Sequence, residues 1–185
     1  MRQTDVAGNT SASTTLSFTL DTVAAAPTLT LDTDSGSSAI DGITNVGTFS
    51  VGATESGATV EYSTDGTTWS TTAPTAVAGA NSIEVRQTDV AGNVSASTTL
   101  AFTLDTVAAA PTLTLDSDSG SSAVDGITNV GTFSVGATEA GATVEYSTDG
   151  GTTWSTTAPT AAAGANSIDV RQTDVAGNVI RPILA

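Results

Sequence analysis

Apolar residues in this chain alternate with polar ones at a period of two, which is typical of half-buried antiparallel strands. In the central part of the chain the alternating positions are Leu29 and Leu31, Phe49 and Val51, Val60 and Tyr62, Ile83 and Val85, and Leu100, Phe102 and Leu104. Thr, Ser, Ala and Glu fill the positions between them, and no segment carries a helical stripe. The pattern therefore predicts an all-β fold.

The spacing of these segments predicts an immunoglobulin-like antiparallel β-sandwich of about seven strands. The predicted strands are A at 27–31, B at 47–52, C at 58–63, D near 67–70, E within 72–79, F at 82–88 and G at 97–104. Strand E contains Pro74 and Gly79, which disfavour a regular strand. We still expect it, because a chain that enters at one end of a sandwich and leaves at the other makes an odd number of crossings.

The chain is a tandem array, because one eight-residue stretch recurs at a nearly fixed spacing. Its copies, RQTDVAGN, lie at residues 2–9, 86–93 and 171–178. We divide the chain into residues 1–25, the C-terminal fragment of a preceding repeat, residues 26–109, a complete repeat, and residues 110–185, a second repeat whose last strand is missing or altered. The domains are expected to follow one another end to end.

The expected arrangement of the loops follows from the strand order. The connectors between repeats, DTVAAAP at 21–27 and 105–111, lack glycine and are typical of stiff joints. If strand A runs from the entry end to the exit end, the A–B loop lies at the exit end, and the B–C and F–G loops lie at the entry end. The A–B loop of one repeat should then face the B–C and F–G loops of the next, so neighbouring repeats are the first expected partners.

The composition is strongly acidic, with 19 Asp and Glu against four Arg, no His and no Cys, and the net charge is −15. Nucleic acid and anionic membrane surfaces are excluded as partners, because few cations are present to neutralise phosphates. No run of about 18 apolar residues occurs, so we expect neither a membrane span nor a signal peptide in this chain. The absence of His and Cys excludes catalytic triads and thiol chemistry, and no enzymatic activity is expected.

Acidic loop residues of both repeats are expected to meet at the junction between them. The candidate ligands there are Asp32, Asp34 and Asp41 of the A–B loop, Asp105 of the connector, Glu139 of the B–C loop, and Asp174 and Asn178 of the F–G loop. Such a cluster would repel itself without a counterion, and hard oxygen donors in this number suit Ca²⁺. The sequence therefore predicts calcium at the junction. The alternative is that these residues form ordinary solvated turns.

Equivalent positions elsewhere in the array extend the candidate set. Asp21 occupies the place of Asp105 in the first connector, and Asp89 occupies the place of Asp174 in the first complete repeat. For Asp5, Asp89 and Asp174 the competing interpretation is a turn closed by the Asp side chain.

Three further features have mainly structural interpretations. Asp65 with Gly66 and Asp149 with its following glycines are typical of hairpin turns. Glu61 and Arg86, like Glu145 and Arg171, should form outward-facing ion pairs across neighbouring strands C and F. Trp69 and Trp154 are expected to cover one end of a small core, with sugar stacking as the alternative.

The two ends of the chain suggest strand exchange as a third hypothesis. After Asn178 the second repeat reads VIRPILA where the first has a G strand, whereas residues 12–20, ASTTLSFTL, form a G strand without a repeat before them. Donation of this strand to the open edge of another molecule would give head-to-tail chains or a closed oligomer. The alternative is that VIRPILA serves as a poor G strand, with Pro182 disrupting part of the ladder.

Together RQTDVAGN, GANSIEV, YSTDGGTTW, DTVAAAP and DSDSGSSAVDGITN resemble the bacterial immunoglobulin-like repeats of very large secreted Gram-negative adhesins of the RTX and biofilm-associated type. The resemblance implies an extracellular or cell-surface extender segment whose junctions are stiffened by calcium. It implies calcium ligands at Asp32, Asp34, Asp41 and Asp105, with Asp116, Asp118 and Asp125 as the equivalents in the second repeat. A glycan- or protein-binding module is the alternative function, and a strand-exchanging fibre subunit is the third.

Overall fold

The computed structural model describes residues 1–180 and is all-β over that range, with several small sheets. The predicted departure of the last strand falls partly on residues 181–185, which lie outside the described residues. No helix in the described range could cross a membrane.

Six strands form the first repeat. They are β1 (Thr28–Leu31), β2 (Ile43–Thr44), β3 (Phe49–Gly52), β4 (Thr59–Ser63), β5 (Gly79–Thr88) and β6 (Thr98–Leu104). One sheet pairs β1 with β3, and the other has the order β2-β6-β5-β4. The pairing is antiparallel except between β2 and β6. Strands A, B, C, F and G are thus confirmed as β1, β3, β4, β5 and β6, with small differences in bounds.

The core of the first repeat lies between these sheets because the alternating apolar side chains point inward from both. Leu29, Ile83, Val85 and Phe102 are buried together, and partly buried apolar residues from β1, β3, β4 and β6 pack around them. Phe49 and Tyr62 add an edge-to-face aromatic contact at 6.4 Å between ring centroids.

Strand D, predicted near 67–70, is reduced to an isolated bridge at Ser70, and the prediction of strand E was wrong. Between Ser70, which bridges to Tyr62, and Gly79, where β5 begins, the described chain forms no strand. The Asn81 side chain instead bonds the backbone of Val77 and Gly79, and Pro74 has no N–H to offer a ladder. Ala76 still packs on the core, so the segment crosses the repeat without pairing.

The second repeat has fewer strands in its described part. They are β7 (Thr112–Leu115), β8 (Phe133–Gly136), β9 (Thr143–Ser147) and β10 (Asp169–Thr173). β7 pairs with β8 and β10 pairs with β9, both antiparallel. Up to residue 180 no strand corresponds to β6, and β10 begins five positions later in the repeat than β5 does.

Residues 1–22 carry no named strand, although Thr4 and Thr10 form one bridge. The large apolar side chains of Leu16, Phe18 and Leu20 are exposed there.

Candidate functional site

The A–B loop of the first repeat contacts the F–G loop of the second, as the strand order predicts. The Ser35 hydroxyl donates to the Ala176 carbonyl oxygen at 2.8 Å, and the Ser37 N–H donates to the Val175 carbonyl oxygen at 3.0 Å. Ala176 is only 1% exposed as a result of this packing. The contact consists of backbone and serine groups rather than carboxylates.

Two glycines allow the loops to approach this closely. Gly36 has φ 102° and Gly177 has φ 93°, conformations that other residues rarely adopt. A Cβ atom on Gly177 would stand 3.1 Å from the Gly36 α-carbon. The two backbones are therefore in direct contact, with no room for a side chain between them.

Three side chains of the second repeat bond the connector that leads into it. Asn178 Nδ2 donates to the Asp105 carbonyl oxygen at 2.9 Å, and Gln172 Nε2 donates to the Ala109 carbonyl oxygen at 2.7 Å. Glu139 accepts the Ala109 N–H. Ala108, between these bonds, is 2% exposed. The connector is thus held at both ends and packed in the middle.

The first repeat holds its own connector in the same way. Gln87 Nε2 donates to the Ala25 carbonyl oxygen at 2.7 Å, Glu55 accepts the Ala25 N–H, and Asn93 Nδ2 donates to the Asp21 carbonyl oxygen. Gln87 Oε1 also accepts the Glu55 N–H, so this fully buried side chain joins the connector to the B–C loop. Each repeat thus carries one connector clamp, made of a Gln, a Glu and an Asn.

The F–G carboxylates close their own loops. Asp174 accepts the Asn178 N–H at 2.8 Å and the Asn178 Nδ2 group at 2.7 Å. Asp89 and Asn93 repeat this arrangement, and so do Asp5 and Asn9. The side-chain hydrogen bond from the asparagine lowers the pKa of Asp5 and of Asp89 below the ordinary value. Because the fragment at residues 1–9 forms the same loop, this geometry does not require a junction.

The A–B and connector carboxylates also have local partners. Asp32 accepts the Ser50 hydroxyl, Asp41 accepts the Ile43 N–H, and one oxygen of Asp34 accepts the Gly42 N–H. The second repeat reproduces these bonds with Asp116, Asp125 and Asp118. The carboxylates of Asp21 and Asp105 each accept the N–H two residues further on. These are the bonds expected of turn-forming aspartates.

One oxygen in each A–B loop has no partner. Oδ1 of Asp34 and Oδ1 of Asp118 are buried and accept no hydrogen bond in the described structure. The atom at Asp118 is in this state without a docked neighbour, so the feature belongs to the loop itself. Across residues 1–180 no three acidic side chains form a group that could hold a metal ion. The predicted set of six carboxylates is therefore not brought together there.

The hairpin and ion-pair predictions are confirmed. Asp65 bonds the backbone of Thr67 and Thr68 and the Thr68 hydroxyl, and the Thr68 N–H holds the Asp65 pKa well below its ordinary value. The Thr153 hydroxyl is the main cause that lowers the pKa of Asp149 to about 2. The extra residue of this turn is absorbed by Gly150 and Gly151, both with positive φ.

The tryptophans lie elsewhere than predicted. The guanidinium of Arg86 stacks on the ring of Trp69 at 4.0 Å while its Nε bonds Glu61 at 3.0 Å. Arg171 stacks on Trp154 at 4.2 Å in the same way and bonds Glu145 at 2.8 Å. Each half-buried ring therefore packs on an outward-facing ion pair, in a cation–π contact with its arginine.

Sequence reasoning missed the groups that form the junction contact. The signal that could have found them is the glycine between serines in DTDSGSS, because a position that needs a bare backbone shows in the sequence only as a glycine. The sequence places Gln87 at the end of predicted strand F and gives it no other role, yet Gln87 and its counterpart Gln172 are both fully buried. No protein-family model matches the chain, and no curated protein matches it.

Proposed function

We propose that this chain is an extender segment of a bacterial surface or secreted adhesin, in which immunoglobulin-like repeats form a stiff stalk. The observation that carries the proposal is the junction, where the A–B loop of one repeat contacts the F–G loop of the next while the connector between them is clamped. An extender needs fixed joints rather than a binding cleft. Repetition of the connector clamp in both repeats fits a segment that is extended by adding copies.

Several features support the immunoglobulin-like part of the proposal. In the first repeat two sheets enclose one core. The four-stranded sheet pairs β4, β5 and β6, which correspond to strands C, F and G. The chain enters at Pro27 and leaves at Leu104, at opposite ends of the strands. This path supports an end-to-end arrangement of successive repeats, which a stalk requires.

Calcium is a narrower part of the same proposal. Oδ1 of Asp34 and Oδ1 of Asp118 are the available buried donors, and an oxygen ligand of this kind suits a hard cation. The remaining candidate carboxylates are engaged in turn hydrogen bonds, so they do not supply a complete set of ligands. We therefore place any calcium in the A–B loops, where it would neutralise the unpaired oxygen and stiffen the loop that contacts the next repeat.

Small-angle X-ray scattering in EDTA and in calcium tests the two parts separately. The stalk proposal predicts an elongated particle with the same maximum dimension in both conditions, because the junction contacts join protein to protein. A shape in EDTA that fits only freely jointed repeats would contradict it.

Thermal melting tests calcium. We expect calcium to raise the melting temperature of the wild type, and the rise to disappear in the double variant Asp34→Asn, Asp118→Asn. Asp169→Asn, a change on strand β10 away from both loops, is the control and should keep the response. Equal melting temperatures of the wild type in calcium and EDTA would remove calcium from the proposal.

A further inference from the structure

The second repeat contains an open cleft beside the β7–β8 sheet. The cleft has a volume of about 1030 Å³ and is lined by residues of β7 and β8, by the segment between them around Ile127 and Thr128, and by residues 161–166 and Ile168. Leu113, Leu115 and Phe133 face it. An apolar cleft of this size in such a small repeat indicates that part of the core is missing.

The first repeat shows which part is missing. There β6 pairs with β5 from Gly79 opposite Leu104 to Val85 opposite Thr98, and its Phe102 is 5% exposed in the core. In the second repeat the residues equivalent to the first half of β5 form no strand, and β10 has its ladder only with β9. Ile168 and Val170 are only partly buried, whereas their counterparts Ile83 and Val85 are almost completely buried. The cleft therefore occupies the place of a β6 strand.

A strand of the required sequence is present at the other end of the chain. Residues 12–20 read ASTTLSFTL, and residues 96–104, which contain β6, read ASTTLAFTL. The one difference, Ser17 against Ala101, falls at an exposed, outward-facing position of β6. Phe18, the counterpart of buried Phe102, is 77% exposed. This segment thus has the inward-facing residues that the cleft lacks, and they are solvated where they now lie.

The donor and the acceptor belong to different molecules. In the β6 position Leu20 would lie beside Ile127 and Thr128, as Leu104 lies beside Ile43 and Thr44, at the end of the second repeat away from the first. The next residue, Asp21, is bonded by Asn93 at the opposite end of the first repeat. Adjacent α-carbons are about 3.8 Å apart, whereas β6 alone spans roughly 23 Å at the usual rise per residue. One chain therefore cannot fill its own cleft while this bond is made.

We propose that residues 12–20 of one copy complete the second repeat of another by adding as its missing β6-type strand. The connector of the donor, residues 21–27, is already clamped on the donor's first repeat. The junction between the two molecules can therefore form without a further change in either. Ser119 and Gly120 of the acceptor would meet Val90 and Ala91 of the donor, as Ser35 and Gly36 meet Val175 and Ala176 within the chain. The contact is head to tail and does not close on itself, so the product is a filament that continues the geometry of the array.

This inference does not depend on the adhesin proposal, since it concerns how copies of this chain associate. Sedimentation at increasing concentration tests it with two adjacent substitutions of the same charge. Phe18→Asp places a carboxylate on the inward face of the donor strand, and Ser17→Asp places one on the outward face. We expect the wild type and Ser17→Asp to form larger species as concentration rises, and Phe18→Asp to stay monomeric. Both positions are exposed in the free chain, so neither substitution threatens folding of the repeats.

A register-specific disulfide provides a second test, because the chain has no cysteine of its own. Ser82 lies opposite Ala101 in the first repeat, so Ser167 of one molecule should lie opposite Ser17 of the other. A mixture of the Ser17→Cys and Ser167→Cys proteins should give a covalent dimer on mild oxidation. Thr19→Cys mixed with Ser167→Cys is out of register by two residues and should give much less.

The synthetic peptide ASTTLSFTL identifies the acceptor directly. An excess of this peptide should bind the wild-type chain and dissociate its oligomers into monomers. The same peptide with Asp in place of Phe should do neither. A wild type that is monomeric at all concentrations and does not bind the peptide would overturn the proposal and indicate that the cleft is closed by the chain's own residues. Equal association of Phe18→Asp and Ser17→Asp, or equal cross-linking in both registers, would also overturn it.

Discussion

Gly36 lies so close to Val175 that a Cβ atom on Gly36 would stand 1.9 Å from the Val175 carbonyl oxygen. These residues belong to consecutive repeats, so their contact sets how one repeat sits on the next. Since the clashing atom is backbone, no side-chain rotation relieves it. The joint consequently depends on the absence of a single carbon atom.

Replacing Gly36 with alanine is expected to open the junction. Gly120 provides the matched control, because it occupies the same loop position with a similar φ of 114°, yet its Cβ would come no closer than 3.8 Å to another atom. Both alanine variants therefore have the backbone strain of a positive φ, but only Gly36→Ala also has the clash with Val175. In the monomeric Phe18→Asp background, where Gly120 meets no second molecule, we expect faster amide exchange at Ser37 in Gly36→Ala only. Equal exchange rates in the two variants would mean that the glycine contact does not hold the junction.

Replacing Gln87 with leucine should destabilise the first repeat. The buried amide joins the Ala25 carbonyl oxygen to the Glu55 N–H, and leucine leaves both without that partner. The expected loss is about 1–3 kcal/mol in the free energy of unfolding. Urea denaturation followed by Trp69 fluorescence in a Trp154→Phe background measures it. Gln3, the exposed counterpart in the first RQTDVAGN copy, is the control, and Gln3→Leu should leave the midpoint unchanged.

The turn at Asp149 should lose stability in acid. Hydrogen bonds in the folded turn hold the Asp149 pKa at about 2, below the ordinary value of about 3.9. A depressed folded pKa contributes stability above about pH 4, and this contribution disappears as the pH falls towards about 2. The stability difference between wild type and Asp149→Asn should therefore be largest near neutral pH, shrink below about pH 4 and vanish only below about pH 2. Carbon NMR titration of the Asp149 carboxyl group checks the pKa, and a midpoint near 4 would contradict the prediction.

Replacing Arg86 with methionine should cost little stability but change the surroundings of Trp69. The Arg86–Glu61 pair is partly exposed, and pairs of this kind contribute about 0–1 kcal/mol. Methionine keeps an apolar stem on the ring while the cation is removed. We expect a shifted Trp69 emission with a change of less than about 1 kcal/mol. Arg2→Met, at the equivalent exposed position of the first copy, should change neither quantity.

The order of the loops could be predicted from the sequence, whereas the atoms that join them could not. Alternation identified five of the six strands of the first repeat, and strand direction then placed each loop at its end. β2 was missed because Ile43 and Thr44 are too few to show a period. Strand E was predicted from the need for a crossing, which an unpaired segment also satisfies.

The contact between the two loops could be predicted from the sequence, but the groups that make it are not the predicted carboxylates. Acidic residues drew attention because charge is visible in a sequence. Each of them accepts a hydrogen bond from its own repeat or the adjoining connector, which spacing alone does not reveal. The bond from Asn178 Nδ2 to the Asp174 carboxylate is an example. The groups that meet across the junction are carbonyl oxygens of Val175 and Ala176, and any residue type supplies a carbonyl.

The distance between the two repeats tests the central claim of a fixed joint most directly. Spin labels on cysteines introduced at Thr59 and Thr143, exposed positions on β4 and β9, report it by double electron–electron resonance. The Phe18→Asp background keeps the molecule monomeric, and EDTA removes any cation. We predict one narrow distance distribution that broadens on Gly36→Ala and stays narrow on Gly120→Ala. A broad distribution before either glycine is changed would contradict the account.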